Sequence, residues 1–225
     1  MPFKEFRSKL PRLFLEKAFG MRIMGSHESD RRRLLHLLKT HSYQERDVTL
    51  ASGQKSHFYI DCKQTACLGE GASIIGCLFY NHLVALEKDG IHYDACGGMA
   101  LGAVPLAIAV SMTAFLLGRE LPSLAVRRQV KNHGTGVFVE GASCVPKNGH
   151  VLLLEDVVTT GGSTILAAQK LRDTGYHVDT VFALVNREAG GEKNFKDNGL
   201  SLCSLFDLTD FPSSKLLYEE RICDG

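Results

Sequence analysis

Val151-Leu152-Leu153-Leu154-Glu155-Asp156-Val157-Val158-Thr159-Thr160-Gly161-Gly162-Ser163-Thr164 is the stretch that decides how the rest of this 225-residue chain is read. Residues 151–154 form a short apolar run of the kind that makes a buried central strand. Glu155 and Asp156 fall where that strand is expected to end. Residues 159–164 are small, hydroxyl-rich and glycine-centred, so they read as a turn, with a helix opening at 165–171. Such a turn aims backbone N–H groups at a helix N-terminus, a site suited to phosphate. Two adjacent carboxylates beside it suit sugar hydroxyls or, through water, a magnesium ion. A phosphorylated sugar satisfies all of these groups together. Ser163 or Thr164 as a plain helix cap, with the acids as a solvated strand end, is the structural alternative.

Other phosphate-binding glycine motifs do not fit. A P-loop needs Gly-Lys-Ser/Thr, which the chain lacks, and Gly161-Gly162 does not supply G-x-G-x-x-G. The acids, hydroxyls and glycines do occur in the order of the 5-phosphoribosyl 1-diphosphate (PRPP) signature. On these residues the chain resembles the type I phosphoribosyltransferases.

Working outward, 44% hydrophobic content is enough for the core of one α/β domain, and a net charge of +1 argues for neither nucleic acid nor a membrane surface as partner. Seven cysteines without C-x-x-C spacing argue against a disulfide framework or zinc site and for a reducing, cytoplasmic compartment. No apolar run approaches the ~18 residues of a membrane span. Residues 1–24 are basic (Lys4, Arg7, Lys9, Arg12, Lys17, Arg22), with Phe3, Phe6, Leu10, Leu13, Phe14 and Phe19 available for a helix face. They read as an extension without structure or a start placed upstream of Met21 or Met24, with a targeting helix as the alternative. We therefore take 1–25 as an extension and 26–225 as one domain, with its core at about 71–211.

Leu34, Leu35, Leu37 and Leu38 give residues 26–41 a helical apolar spacing behind a solvated Arg31-Arg32-Arg33 face. Residues 48–50 and 57–60 read as a hairpin around Ser52-Gly53-Gln54. Helices are expected over 71–86 and 101–117. Strands are expected at 93–96, 123–126, 137–140, 151–154, 180–185 and 202–206. Alternation of strands and helices predicts a mostly parallel central sheet flanked by helices, with a small N-terminal hood. Turns at 97–100, 127–136, 155–164 and 186–191 each follow a strand, so they open onto one rim.

Arg127-Arg128-Gln129-Val130-Lys131-Asn132-His133-Gly134-Thr135-Gly136 places three fixed cations and a histidine in a glycine-containing segment. Beside a phosphate site its task is to cover a pyrophosphate and exclude water; a solvated loop is the plain alternative. This segment resembles the catalytic loop of the orotate phosphoribosyltransferases. Thr49-Leu50-Ala51-Ser52-Gly53-Gln54-Lys55-Ser56-His57-Phe58-Tyr59-Ile60-Asp61 is similar to that family's substrate hairpin. Gly98-Met99-Ala100-Leu101-Gly102-Ala103-Val104-Pro105 is similar to its pyrophosphate loop, and Val185-Asn186-Arg187-Glu188-Ala189-Gly190-Gly191 to its orotate-carboxylate segment.

The resemblance implies a type I phosphoribosyltransferase fold and the conversion of orotate and PRPP to orotidine 5′-monophosphate and pyrophosphate, with Mg²⁺, in pyrimidine biosynthesis. It implies a homodimer whose residues 127–136 complete the neighbouring active site. PRPP and pyrophosphate fall to Arg127, Arg128, Lys131, His133, Glu155, Asp156, Val157, Val158 and residues 159–164. Lys131, His133 and Asp156 are the catalytic group, with Lys131 leading. Orotate falls to Thr159, Arg187, Phe58, Tyr59 and Lys55, and Mg²⁺ to substrate and water near Glu155 and Asp156. Some members carry lysine where this chain has Ala51 and Gly102, and Lys55 or Lys63 is a candidate for the missing cation. Val104 lies where related subtypes often have an acid, and Asn186 where aspartate is frequent. His36, His82 and His177 read as structural or solvated, and Cys62, Cys67 and Cys96 as small buried hydrophobes. A purine or other pyrimidine transferase and a PRPP-sensing regulator are the alternative functions.

Overall fold

The computed structural model describes residues 27–49, 55–129 and 138–211. Helix α1 (His27–Leu37) buries Leu34 and Leu37 and runs into a wider π-type turn, Leu38–Ser42. Strands β1 (Tyr43–Thr49) and β2 (Lys55–Ile60) form an antiparallel hairpin with Tyr43 opposite Ile60. The short α2 (Lys63–Ala66) and long α3 (Gly69–Leu86) follow. A 3-10 turn ends this region at Gly90, whose φ of 97° favours glycine.

The rest alternates as the pattern predicts: β3 (Ala95–Met99), α4 (Ala103–Leu117), β4 (Ser123–Val126), β5 (Val139–Glu140), β6 (Val151–Val158), α5 (Gly162–Asp173), β7 (Thr180–Asn186), α6 (Gly191–Asp197) and β8 (Ser201–Phe206). The six-stranded sheet has the order β5-β4-β3-β6-β7-β8 and is parallel except for the edge pair β4–β5. From β3 the chain moves outward to β4; from β6 it moves the other way, to β7 and β8. The order therefore reverses between β3 and β6, and a crevice opens at their carboxyl ends.

Side-chain alternation divides the interior into two layers. Leu152, Leu154, Phe182 and Leu184 meet Leu34, Leu78, Phe79, Leu106 and Val110 on one face. Val151, Leu153, Val181 and Ala183 meet Ala167, Ala168, Leu171 and Phe195 on the other.

Several boundaries differ from the sequence expectation, and two of them shape the site. Strand β6 does not stop at Leu154 but runs to Val158, because β7 continues beside it and pairs Glu155 with Ala183 and Val158 with Asn186. Strand β3 runs through Gly97 and Gly98, which sequence places in a turn. A Cβ on Gly97 would lie 2.3 Å from the Leu124 carbonyl oxygen, and one on Gly98 2.1 Å from that of Leu154. These glycines let neighbouring backbones approach, and the turn itself comes later, at 100–102. Helix α6 is an element that the sequence reading passed over.

Candidate active site

The two acids sit on β6 at the crevice and, because strand residues alternate, point to opposite sides. Glu155 is buried. Its Oε2 accepts hydrogen bonds from Thr164 Oγ1 at 2.6 Å and Ser163 Oγ at 3.4 Å. Burial first, and the neighbouring Asp156 charge second, push the Glu155 carboxyl up to about 8. Asp156 faces Gly102 across the reversal point. A Cβ on Gly102 would fall 2.3 Å from Asp156 Oδ1, so glycine is what gives that carboxylate its room. Lys63 Nζ lies 2.6 Å from Asp61 and 3.9 Å from Asp156. Burial opposes the charge on both members of the Lys63–Asp61 pair, but their mutual bond outweighs it; Lys63 rises and Asp61 falls from their ordinary values.

Gly161, at φ 80°, is the N-cap of α5 and makes no side-chain cap bond. Neither Ser163 nor Thr164 takes the capping role that the structural alternative gave them. Ile165 N–H donates to Gly161 O at 2.9 Å, the first turn of the helix ladder. The N–H groups of Gly162, Ser163 and Thr164 thus precede that ladder and are oriented for an anion. Helix α6 backs the turn: Phe195 packs where a Gly161 Cβ would be, and Asn194 Nδ2 donates to Thr160 O at 2.8 Å.

Arg187 follows β7. Its N–H donates to Val158 O at 2.8 Å, joining it to the strand end that enters the turn. The guanidinium is buried and lies 4.3 Å over the Phe58 ring. Burial lowers its pKa, the mark of a cation held away from water. Tyr59, the next residue of β2, turns to the other face, where Arg46 covers its ring at 4.5 Å. Of the two hairpin aromatics, Phe58 shares the Arg187 side. The side chain of Lys55 lies outside the described residues.

Arg127 and Arg128 leave the end of β4. Arg127 Nε is 2.7 Å from Glu140 Oε1. Lys131 and His133 lie outside the described residues. Among the described residues no group of three or more His, Cys, Asp or Glu side chains is placed to hold a metal ion. A partly exposed Asp156 beside a committed Glu155 nevertheless suits Mg²⁺, which retains water and takes other ligands from phosphates.

No protein-family model matches the chain. A curated orotate phosphoribosyltransferase of Sorangium cellulosum (strain So ce56) is 44% identical over 183 residues, covering 81% of this chain and 93% of the relative. The chain belongs to the orotate phosphoribosyltransferase family. Among solved structures, the orotate phosphoribosyltransferase of Mycobacterium tuberculosis H37Rv is similar at 30% identity and a TM-score of 0.66, over 80% of this chain and 98% of that one. The same enzyme in complex with 5-phospho-α-D-ribosyl 1-diphosphate is similar at 26% identity and a TM-score of 0.63, over 82% and 92%.

As an orotate phosphoribosyltransferase family member, the chain brings the acid pair, the glycine turn, Arg187 and Phe58 to one crevice. Thr164, expected at the sugar phosphate, bonds the Glu155 carboxyl through its hydroxyl, which leaves its N–H for an anion. It also missed α6 behind the turn; the pair Gly190-Gly191 ahead of Phe195 was the available signal. Lys63 was named as a candidate cation, and its closeness to Asp156 is what the tertiary structure adds.

Proposed function

We propose that this chain transfers the phosphoribosyl group of PRPP to orotate, giving orotidine 5′-monophosphate and pyrophosphate. The observation that carries the reading is the placement of Arg187. A buried guanidinium stacked on an aromatic ring is suited to a planar carboxylate-bearing base, and its backbone bond to Val158 puts it beside the phosphate turn.

The reaction is displacement at the ribose anomeric carbon. A carbon–nitrogen bond to the base forms as the carbon–oxygen bond to pyrophosphate breaks; the bonding electrons leave with the pyrophosphate, and the proton of the attacking ring nitrogen is released to solvent. The sugar carries cationic character in the transition state, so no protein nucleophile is required. In this reading the 159–164 turn holds the 5′-phosphate through its N–H groups, and Glu155 and Asp156 hold the ribose hydroxyls. Thr159, Phe58, Lys55 and Arg187 form the orotate side, with Phe58 as the ring beneath the carboxylate-binding arginine, while Tyr59 faces away under Arg46. Arg127, Arg128, Lys131 and His133 neutralise the leaving pyrophosphate. Asp156 and Glu155 would hold Mg²⁺ through substrate and water, and the ion would supply further neutralisation of the phosphate charge.

A homodimer is part of the proposal. Helix α4 is apolar on both sides: Leu106, Val110 and Ala114 are buried, while Ile108, Met112 and Phe115 are exposed on the outer side, with Leu101 just ahead of it. An exposed apolar stripe of this kind suits a self-complementary contact. Residues 127–136 of each copy then complete the partner's site. Residues 26–225 form the catalytic unit with 1–25 as an extension, and the compartment is cytoplasmic.

The deciding experiment follows orotate by ultraviolet absorbance with purified protein, PRPP and Mg²⁺. Loss of orotate that needs all three supports the reading; PRPP binding without loss of orotate directs it to another base or to a sensor. Lys131→Ala should lower turnover by ~10²–10³ while orotate binding changes little, as expected for a lost contact to developing charge. Near-normal turnover in that variant would refute its catalytic role.

A further inference from the structure

Lys170 lies on α5, eight residues after Gly162, the first residue of the helix that opens at the phosphate turn. Its ammonium donates at 2.8 Å to the carbonyl oxygen of Arg127 and at 2.8 Å to that of Arg128. It also sits 3.9 Å over the Phe138 ring. Arg127 N–H in turn donates to Phe138 O at 2.8 Å. One ammonium thus meets both carbonyls where the chain leaves β4 and the aromatic ring where it returns towards β5. A surface lysine of an amphipathic helix is ordinarily solvated and holds nothing in place. Two short charge-assisted bonds and a π-face together occupy this one in a defined geometry.

We propose that Lys170 is a positioning residue, which fixes the Arg127-Arg128 pair at the exit of β4, where the segment that serves the partner's site begins, by clamping their backbone to α5. The proposal rests on the reading above in one respect, that Arg127 and Arg128 meet pyrophosphate. Lys170 touches carbonyl groups rather than substrate, so it acts through the arginines. The helix makes the anchor rigid: the ammonium stands about 12 Å along α5 from its first residue, at 1.5 Å per residue. With the clamp, the arginines start from a fixed point; without it, both carbonyls lose the ammonium, Arg128 loses its tie to α5, and each arginine samples more positions before it meets an anion.

The test compares Lys170→Met, which keeps length and apolar bulk, with Lys170→Arg, which keeps the donors and the charge. Inorganic pyrophosphate binding is read by calorimetry, amide hydrogen exchange by mass spectrometry, and stability by thermal denaturation. Lys170→Met should bind pyrophosphate about tenfold more weakly, the size of one lost charge-assisted bond, with orotate KM unchanged. Exchange at Arg127–Gln129 should rise while that of β6 stays as in the wild type, and Lys170→Arg should recover most of both losses. Unchanged pyrophosphate binding in Lys170→Met overturns the proposal, whatever its exchange does. A loss that tracks lowered melting temperature and is not recovered by Lys170→Arg overturns it as well, by making the residue merely structural. Because pyrophosphate binding and exchange do not involve the base, a wild-type protein that binds pyrophosphate but consumes no orotate refutes the choice of base and leaves the comparison of variants intact. Absence of pyrophosphate binding in the wild type overturns the Lys170 proposal itself.

Discussion

At the scale of single residues, the acid pair and Gly102 set the character of the site. Glu155 has an ordinary value of 4.5 and is raised to about 8 by burial and by Asp156. The folded state therefore favours its protonated form. The associated stability is fully present below the ordinary carboxylate range, falls as pH rises, and is lost once pH passes about 8. Glu155→Gln cannot ionise, so between pH 6 and 9 its melting temperature should fall by several degrees less than that of the ligand-free wild type, at ~2–4 °C per kcal/mol for a chain of this size. Parallel melting curves over that range would show that Glu155 does not titrate there. Gly102→Ala tests the other side of the crevice. The added methyl collides with the far end of the Asp156 side chain, which can swing away. Stability should stay within about 1 kcal/mol of the wild type while turnover falls at least about tenfold. Steady-state kinetics beside a denaturation curve would check both halves.

Among the elements, β3 and β6 carry the architecture, because the sheet reverses direction between them. Their closeness depends on Gly98, whose missing Cβ would otherwise meet the Leu154 carbonyl at 2.1 Å. Backbone cannot rotate away as a carboxylate can. Gly98→Ala should therefore destabilise by about 3 kcal/mol or more, near the upper end of overpacking costs, and urea denaturation would measure it. The contrast between Gly98 and Gly102 is a contrast of neighbours: the same added methyl strikes a strand in one case and a side chain in the other. Helix α5 is the second organising element. Its first turn presents N–H groups, its Thr164 bonds the buried acid, and its Lys170 holds the end of β4.

For the whole molecule, the outer face of α4 stands out as exposed and apolar. Met112 is 60% exposed and Ile108 47%, unusual for apolar residues on consecutive turns of one helix. If this stripe joins two copies, Ile108→Asp with Met112→Lys should raise the dimer dissociation constant at least about 100-fold, as loss of central apolar contacts does. Sedimentation velocity would report it. Turnover should fall with dimer content, since each copy is proposed to complete the other. A variant that stays dimeric would place the interface elsewhere.

Whatever depends on neighbours along the chain was legible in the residues alone. Apolar runs and their alternation marked the strands, glycine and hydroxyl content marked the turn, and the order of acids, hydroxyls and glycines marked phosphate chemistry. These signals are local because backbone sterics, strand periodicity and helix-end hydrogen bonding act over a few residues. Which residues meet across long separations emerged from the folded chain. Arg187 reaches Phe58 from 129 positions away, and the choice of Phe58 over Tyr59 depends on how the hairpin docks, since either face of a strand is available to either ring. Glu155 and Asp156 stand inside β6 because β7 supplies a partner strand that no local propensity announces. Gly102 reads as an ordinary turn glycine until Asp156 is found where its side chain would be. In each case the deciding term is packing between segments distant in sequence, where register and available space outweigh local preference.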